Sequence, residues 1–454
     1  MRRTSTIPRP GGGVARPAPS AASFASRPAA RGAAGTVALG VLAGGVAAIS
    51  AGAASGPSRL VPSRAGGFPD WLAGPLSGLG LGTSDASYQA LLLVVCACYV
   101  VVLACLPALG PRRVVGAIVL AHVALVLGPP LLSGDVFGYL DYARLGVLHG
   151  LDPYTSTSSA APQDEVYRFV LWHNATSPYG PLFTLASYPL AEIGVPAGLW
   201  VLKLLAGASS LGALALLWRC AQRRGRRPVE VVAFVGANPV ILLYGVGGAH
   251  NDTLLMAGAA ATVLLALRGR PAAAGVASVL AAGLKASAGL VTPFVILGSD
   301  HRRRTLLAVV GTLAVLGVLA AAIFGAHAVN VVEALRGQQG LVAVHSVPAQ
   351  LGRLLGAPHL ESGLRTLFVV GAVGALGWAL LATWRGADWV TMTGWATLAL
   401  LVGTAWLLPW YVMWLAPFSA LSADRRLRGA TLGFCAYVVV SRLPMAEGLT
   451  GGVL

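Results

Sequence analysis

Charge is what this sequence has least of. Of its 454 residues only 11% are Asp, Glu, Lys or Arg, and acids are the scarcer sign, 16 against 32 Lys and Arg. Residues 1–35 contain no acid at all. Cysteine is scarce too: Cys96, Cys98, Cys105, Cys220 and Cys435 lie in apolar runs or at their edges, with no metal spacing and no disulfide frame, and read as small buried hydrophobes. No glycine-rich nucleotide-binding loop is found, and no run alternates as the ~10-residue strands of a membrane β-barrel would. The formal charge of +16 does not make a nucleic-acid surface, because the arginines fall between apolar runs and form no continuous patch.

What remains is apolar. The chain is 56% hydrophobic with a mean hydropathy of +0.74, more than a soluble core can absorb. Apolar runs recur near the roughly 20 residues that a bilayer-spanning helix needs. They predict spans at 36–54, 89–109, 115–132, 197–220, 229–248, 253–268, a broken pair within 272–298, then 305–325, 364–384, 389–408, 410–423 and 429–445. The expected fold is an all-α, polytopic bundle of about 13 transmembrane helices, residues 36–454, behind a disordered basic tail at 1–35. AGAAS at 51–55 has the small residues of a cleavage site, but a basic region of about 35 residues is too extended for a signal peptide. No internal repeat is evident.

The positive-inside rule orients the bundle. With the N-terminal tail in the cytoplasm, PRR (111–113), RRGRR (223–227), RGR (268–270), HRRR (301–304), Arg385 and DRRLR (424–428) all fall inside. Most acids, from Asp70 to Glu447, fall outside. Residues 178–194 are apolar, yet counting them as a span inverts every later loop, so they are expected to lie in the interface. The stretch 272–298 carries Lys285 in its middle and must turn back within the membrane, buried in protein.

Four non-spanning segments then meet on the outer face: the loop 133–196, which holds SGDVFGYLDYARLGVLHGLDPY (133–154) and TSPYGPLF (176–183); GGAHNDTLL (247–255); the loop 326–363 with HSVPAQLGRL (345–354); and LLPWYVMWLAPF (407–418). Ionised carboxylates next to hydrocarbon are costly and need a reason. Asp135 could be that reason as a general base, or it could cap a helix. Asp141 could pair with Arg144, and Asp152-Pro153 favours a turn. His250, Asn251 and Asp252 could likewise only cap the next helix, Trp410 and Tyr411 could be interfacial aromatics, and His345 and Arg353 could be ordinary loop residues. As a set they suit moving a group borne by an anionic lipid. A carboxylate takes the proton of an incoming hydroxyl, while Lys285, Arg353 and His250 or His345 offset charge growing on a departing phosphate. An enzyme working outside cannot reach cytosolic sugar nucleotides, so a lipid-phosphate donor fits.

The ordered set GDVFGYLDYARLGVLHGLDPY, SPYGPLF, GGAHNDTLL, AAGLKASAGLVTPF and LPWYVMWLAPF, from about 89 to 420, resembles the polyprenol-phosphate-mannose-dependent mannosyltransferases of actinobacterial lipoglycan assembly, most closely their α-1,6-mannosyltransferase branch. These belong to the GT-C superfamily. The resemblance implies a GT-C-like bundle with interfacial helices and inverting transfer of mannose from a polyprenyl-phosphate donor to an α-mannan or lipoglycan acceptor, without nucleotide or cofactor. It implies Asp135 as catalytic base, because an Asp just beyond a span in the first large outer loop takes that role. Asp141, Arg144, Tyr179, His250, Asn251, Asp252, Lys285, His345, Arg353, Trp410 and Tyr411 are the expected substrate-binding residues. Where some relatives carry paired acids, this chain has Asp135 followed by Val136, so metal independence is expected. The implied location is the cell membrane, multi-pass, with the site on the extracytoplasmic face among membrane lipids. A transporter or flippase of lipid-linked sugars is the rival, because a broken helix pair around a Lys is a transporter feature too. Glucose or arabinose as the sugar also stays open.

Overall fold

Proline and glycine decide where the apolar runs stop being helix. The computed structural model describes residues 21–62, 67–357 and 359–443, and every regular element among them is helical. The principal helices are α1 (Ala21–Ala54), α2 (Asp85–Cys105), α3 (Pro111–Leu127), α4 (Asp135–Val147), α5 (Gly194–Arg223), α6 (Pro228–Gly236), α7 (Asp252–Leu267), α8 (Pro271–Leu284), α9 (Val291–Leu297), α10 (Arg302–Phe324), α11 (Asn330–Gly340), α12 (Val347–Leu354), α13 (Ser362–Trp384), α14 (Trp389–Gly403), α15 (Val412–Leu421) and α16 (Arg425–Val440). Helix α1 begins inside the segment expected to be a tail, whose residues 1–20 lie outside the described ones, as does Glu447.

Among the described residues, five helical stretches are long and apolar enough to cross a membrane: Ala29–Ala54, Asp85–Ala108, Gly194–Arg223, Arg302–Gly340 and Ser362–Trp384. Most of the other expected spans are helical but shorter, or broken. Gly128, Pro129 and Pro130 end α3 at Leu127 instead of 132, because proline has no N–H to continue the ladder and restricts the residue before it. Within 229–248, α6 stops at Gly236, Asn238 turns its side chain back onto the Val240 N–H at 3.0 Å, and a π-helix follows at Ile241–Val246. A lone π turn often marks a functional site, and this one leads directly into GGAHND.

Burial divides the bundle. Helix α6, the π-helix and α15 are almost wholly buried and form its centre. Helices α10 and α13 lie outermost, with Leu307 60%, Val318 69% and Val370 62% exposed. A helix apolar all round and mostly uncovered is stable in hydrocarbon, not water, and the chain is a helical membrane protein. Residues 178–194 form two short helices, Pro181–Ser187 and Pro189–Glu192, far too short to span. The pair at 272–298 breaks at Lys285, whose extended backbone (φ −151°, ψ 124°) separates α8 from the helical turns that follow.

Candidate active site

Two strained turns bring the carboxylates together. Leu132 (φ 60°) and Ala249 (φ 54°) are the two non-glycine residues with left-handed backbone among those described. The first delivers Ser133, Gly134 and Asp135, and the second delivers His250, Asn251 and Asp252. The two turns are tied to each other, since the Leu131 N–H donates to the Gly247 carbonyl at 2.9 Å. They are also tied to Lys203 of α5, wholly buried, whose Nζ donates to Pro129 O (3.0 Å) and Gly247 O (3.4 Å). A buried ammonium needs such partners; here its partners are the ends of the two segments that form the site.

Neither acid caps its helix. Gly134 is the N-cap of α4 and Asn251 that of α7, and neither helix start has a side-chain cap bond. The Asp135 carboxylate instead lies 3.5 Å from His250 Nδ1. Burial raises its pKa to about 6, with the Asp252 carboxylate adding to the shift and Lys285 and Ser133 opposing it. Asp252 is fully buried; Lys285 Nζ meets one oxygen at 2.6 Å and the Trp414 indole N–H meets the other at 2.5 Å. Lys285 also reaches Asn251 Oδ1 at 3.3 Å and lies over the Tyr411 and Trp414 rings. Behind this row the His250 ring stacks on Trp410, centroids 3.8 Å apart, and Tyr411 stacks on Trp414 at 4.0 Å. Burial, then the Lys285 charge, hold His250 neutral, and neither ring nitrogen has a hydrogen-bond partner.

Asp135 and Lys285 open into a cavity of about 890 Å³. Its wall includes Tyr142, Trp172, Tyr179, His345, Trp406, Trp410, Tyr411, Trp414 and Arg442. Tyr179 is held there by a close backbone approach: a Cβ at Gly180 would lie 2.1 Å from Gly283 O, at the end of α8 beside Lys285. Among the described residues no group of His, Cys, Asp or Glu gathers that could hold a metal ion.

The expected residues therefore divide. Asp135, Tyr179, Lys285, His345, Trp410 and Tyr411 face the cavity, with His250, Asn251 and Asp252 in the layer behind. Trp410 and Tyr411 are 7% and 9% exposed, hence wall and not interfacial belt. Asp141 lies outside the cavity wall, buried, accepting from Ser158 Oγ at 3.0 Å. Arg144 is likewise outside, paired with Asp164 (2.8 Å) and Glu165 (3.2 Å) and not with Asp141. Asp152 makes the expected turn, accepting from the Tyr154 N–H at 2.8 Å. Arg353 is exposed, is absent from the wall, and donates to the Val344 carbonyl. Sequence reasoning missed Lys203, Trp172, Trp406, Trp414 and Arg442. A signal existed for Lys203 and Arg442, each an ionisable residue inside an expected span.

Residues 30–299 match the family described as alpha-(1->6)-mannopyranosyltransferase, N-terminal domain, and residues 343–453 match the MptB C-terminal domain. The chain is 30% identical over 355 residues to alpha-(1->6)-mannopyranosyltransferase A of Mycobacterium tuberculosis, covering 70% of this chain and 66% of that protein. It is 32% identical over 187 residues to the Corynebacterium glutamicum protein of that name, 39% of this chain and 37% of the other. A probable alpha-(1->6)-mannopyranosyltransferase of Mycolicibacterium smegmatis is 27% identical over 415 residues, 75% and 71% of the two chains. The match thus spans just under two thirds of the M. tuberculosis relative and a little over a third of the C. glutamicum one.

Proposed function

The chain belongs to the alpha-(1->6)-mannopyranosyltransferase family, and on that premise we propose that it transfers mannose from a polyprenyl-phosphate donor to an α-mannan or lipoglycan acceptor at the outer membrane face, with inversion. The observation that carries this reading is the Asp135 carboxylate, 17% exposed on the wall of a large aromatic-lined cavity and held back from full acidity by burial. A base near pKa 6 is ionised at neutral pH yet basic enough to take a proton in the transition state. Asp135 takes the proton of the acceptor hydroxyl as that oxygen attacks the anomeric carbon. The bond from that carbon to the phosphate oxygen breaks with its electrons, and the polyprenyl phosphate leaves. Attack opposite the leaving group turns a β-linked donor into an α-linked product. Trp172, Trp406 and Trp410 offer flat apolar faces on which sugar rings can lie.

The orientation belongs to the same proposal: about thirteen membrane-crossing or membrane-entering segments, the N-terminus in the cytoplasm and the cavity outside. It is supported by the wall, to which none of the arginine clusters contributes a residue. A cysteine at Ser133 or Gly340 should react with an impermeant reagent on intact cells, and one at Gly225 should not. Labelling at Gly225 would overturn the orientation and with it the lipid donor.

The direct test incubates purified protein with polyprenyl-phosphate mannose, glucose or arabinose and short α-mannosides. Mannose transfer with release of polyprenyl phosphate is expected, and is lost in Asp135→Asn. Transfer of another sugar alone, or uncoupled movement of lipid-linked sugar with no product, would replace this reading.

A further inference from the structure

The cavity has a second polar end that the chemistry at Asp135 does not use. At Lys285 the cation is already taken: the ammonium is 2.6 Å from Asp252, and Asp135 stands close by, so an incoming phosphate meets two carboxylates and one cation. Arg353 is turned away from the cavity. Arg442, just past the end of α16, faces it. The bonds of its guanidinium go to Val438 O (2.9 Å), Ser441 Oγ (3.3 Å) and Leu407 O (3.4 Å), none of them charged. An arginine has five N–H donors in a planar fork, so donors remain, and no carboxylate among the described residues neutralises it.

Around it are polar atoms with nothing to bond. Both ring nitrogens of His345 are buried and unpartnered, and so is the hydroxyl of Tyr88, a residue only 1% exposed; both side chains line the cavity. Buried polar atoms left unsatisfied are few in native proteins and call for an explanation such as an absent ligand. Burial, then the charges of Arg442 and Arg353, lower the His345 pKa to about 4, so the ring is neutral and can donate one N–H. The cavity wall beside these groups is hydrocarbon, with Leu92 of α2 and Leu400 and Leu401 of α14.

We propose that Arg442, His345 and Tyr88 form the seat for the phosphate of a lipid-linked ligand, its hydrocarbon chain lying along the α2 and α14 side of the cavity. The identity of the tailed ligand rests on the reading of the chain as a lipid-phosphate-dependent transferase. On this assignment Lys285 is the counter-ion of Asp252, and the leaving phosphate departs toward Arg442.

The test measures retention of radiolabelled short-chain polyprenyl phosphate on the full-length protein in detergent, with transfer assayed in parallel. Arg442→Gln, which removes the charge, and His345→Leu, which removes the N–H donor, should each weaken binding at least ~10-fold, and Tyr88→Phe should weaken it less. Asp135→Asn should bind as wild type. Polyprenol without phosphate should compete poorly, and inorganic phosphate or mannose 1-phosphate should compete only weakly. Should Arg442→Gln not fold, Arg442→Lys keeps the charge and loses the fork, and with His345→Leu it carries the test by a loss of affinity. Wild-type binding in folded Arg442 and His345 variants of an enzyme that transfers mannose overturns the seat and leaves the function standing. Equal competition by polyprenol, or by inorganic phosphate, also overturns it. Binding with the expected losses in a chain that transfers no mannose upholds the seat and removes the function.

Discussion

The two ends of the cavity differ in how their polar groups are satisfied. At the Asp135 end the cation is paired: Asp252 is held by Lys285 and Trp414, and Asn251 Oδ1 accepts from Tyr139 and Lys285, while His250 and the Asn251 amide nitrogen stay without hydrogen-bond partners. At the Arg442 end the guanidinium meets only uncharged oxygens, and the His345 ring and the Tyr88 hydroxyl make no hydrogen bond within 3.5 Å. A cation already paired with a carboxylate is held in place for charge that appears during reaction. A cation that meets no carboxylate waits for charge that arrives with a ligand. The substitutions below separate these two roles.

The largest effect belongs to Asp135→Asn. It keeps size and most hydrogen bonding while removing the proposed base, and should lower turnover by at least ~10²-fold with donor binding unchanged. A near wild-type rate would erase the distinction at its catalytic end. The Lys285–Asp252 pair comes next. Removing one partner of a buried ion pair typically costs about 3–5 kcal/mol, so Lys285→Met or Asp252→Asn should each lower the thermal unfolding midpoint. The double variant should recover much of the loss. If Lys285→Met instead weakened donor binding without affecting stability, Lys285 would be a phosphate ligand and the two ends would exchange roles.

The pH profile follows from the same carboxyl. Its pKa is raised above the ordinary carboxylate range to about 6, so the basic form is lost as pH falls through 6. Turnover should fall on the acid side with a midpoint near that value, measured at saturating donor. A limb near 4 would mean that another group titrates. Gly180→Ala tests the positioning of Tyr179: the added Cβ collides with the Gly283 backbone and should cost a few kcal/mol of stability or several-fold in turnover. Smallest of all is Arg353→Ala, which should leave donor affinity within about twofold, because the side chain is solvated and off the wall.

Much of this was legible along the chain because the bilayer imposes so strict a code. The helices at 85–105, 194–223, 302–324 and 362–384 follow from run length alone, and the break at Lys285 from a cation in mid-run. The place of Asp135 on the cavity wall was legible because a carboxylate beside hydrocarbon needs a reason to be there. The early end of α3 was also written in Gly128-Pro129-Pro130, but hydropathy averages over such punctuation. Arg442 and Trp172 could not be joined to Asp135 by spacing, since their meeting is made by packing among helices far apart in sequence. Arg353 failed as an expectation for the converse reason: its loop reaches the cavity at His345, yet α12 turns the next basic residue out to solvent.

The left-handed backbone at Ala249 has a consequence for anyone wishing to make this protein hardier. Alanine there is strained by roughly 1–2 kcal/mol, and glycine would relieve it against about 0.5–1 kcal/mol of added freedom in the unfolded chain. The Ala249 methyl is also buried, and losing it costs about 0.8 kcal/mol, so Ala249→Gly should be close to neutral for heat resistance. That residue is joined directly to His250, whose ring stands 3.5 Å from the Asp135 carboxylate. A substitution nearly neutral for endurance isolates what that one peptide unit does for speed, so Ala249→Gly should be ranked by turnover and not by its unfolding midpoint.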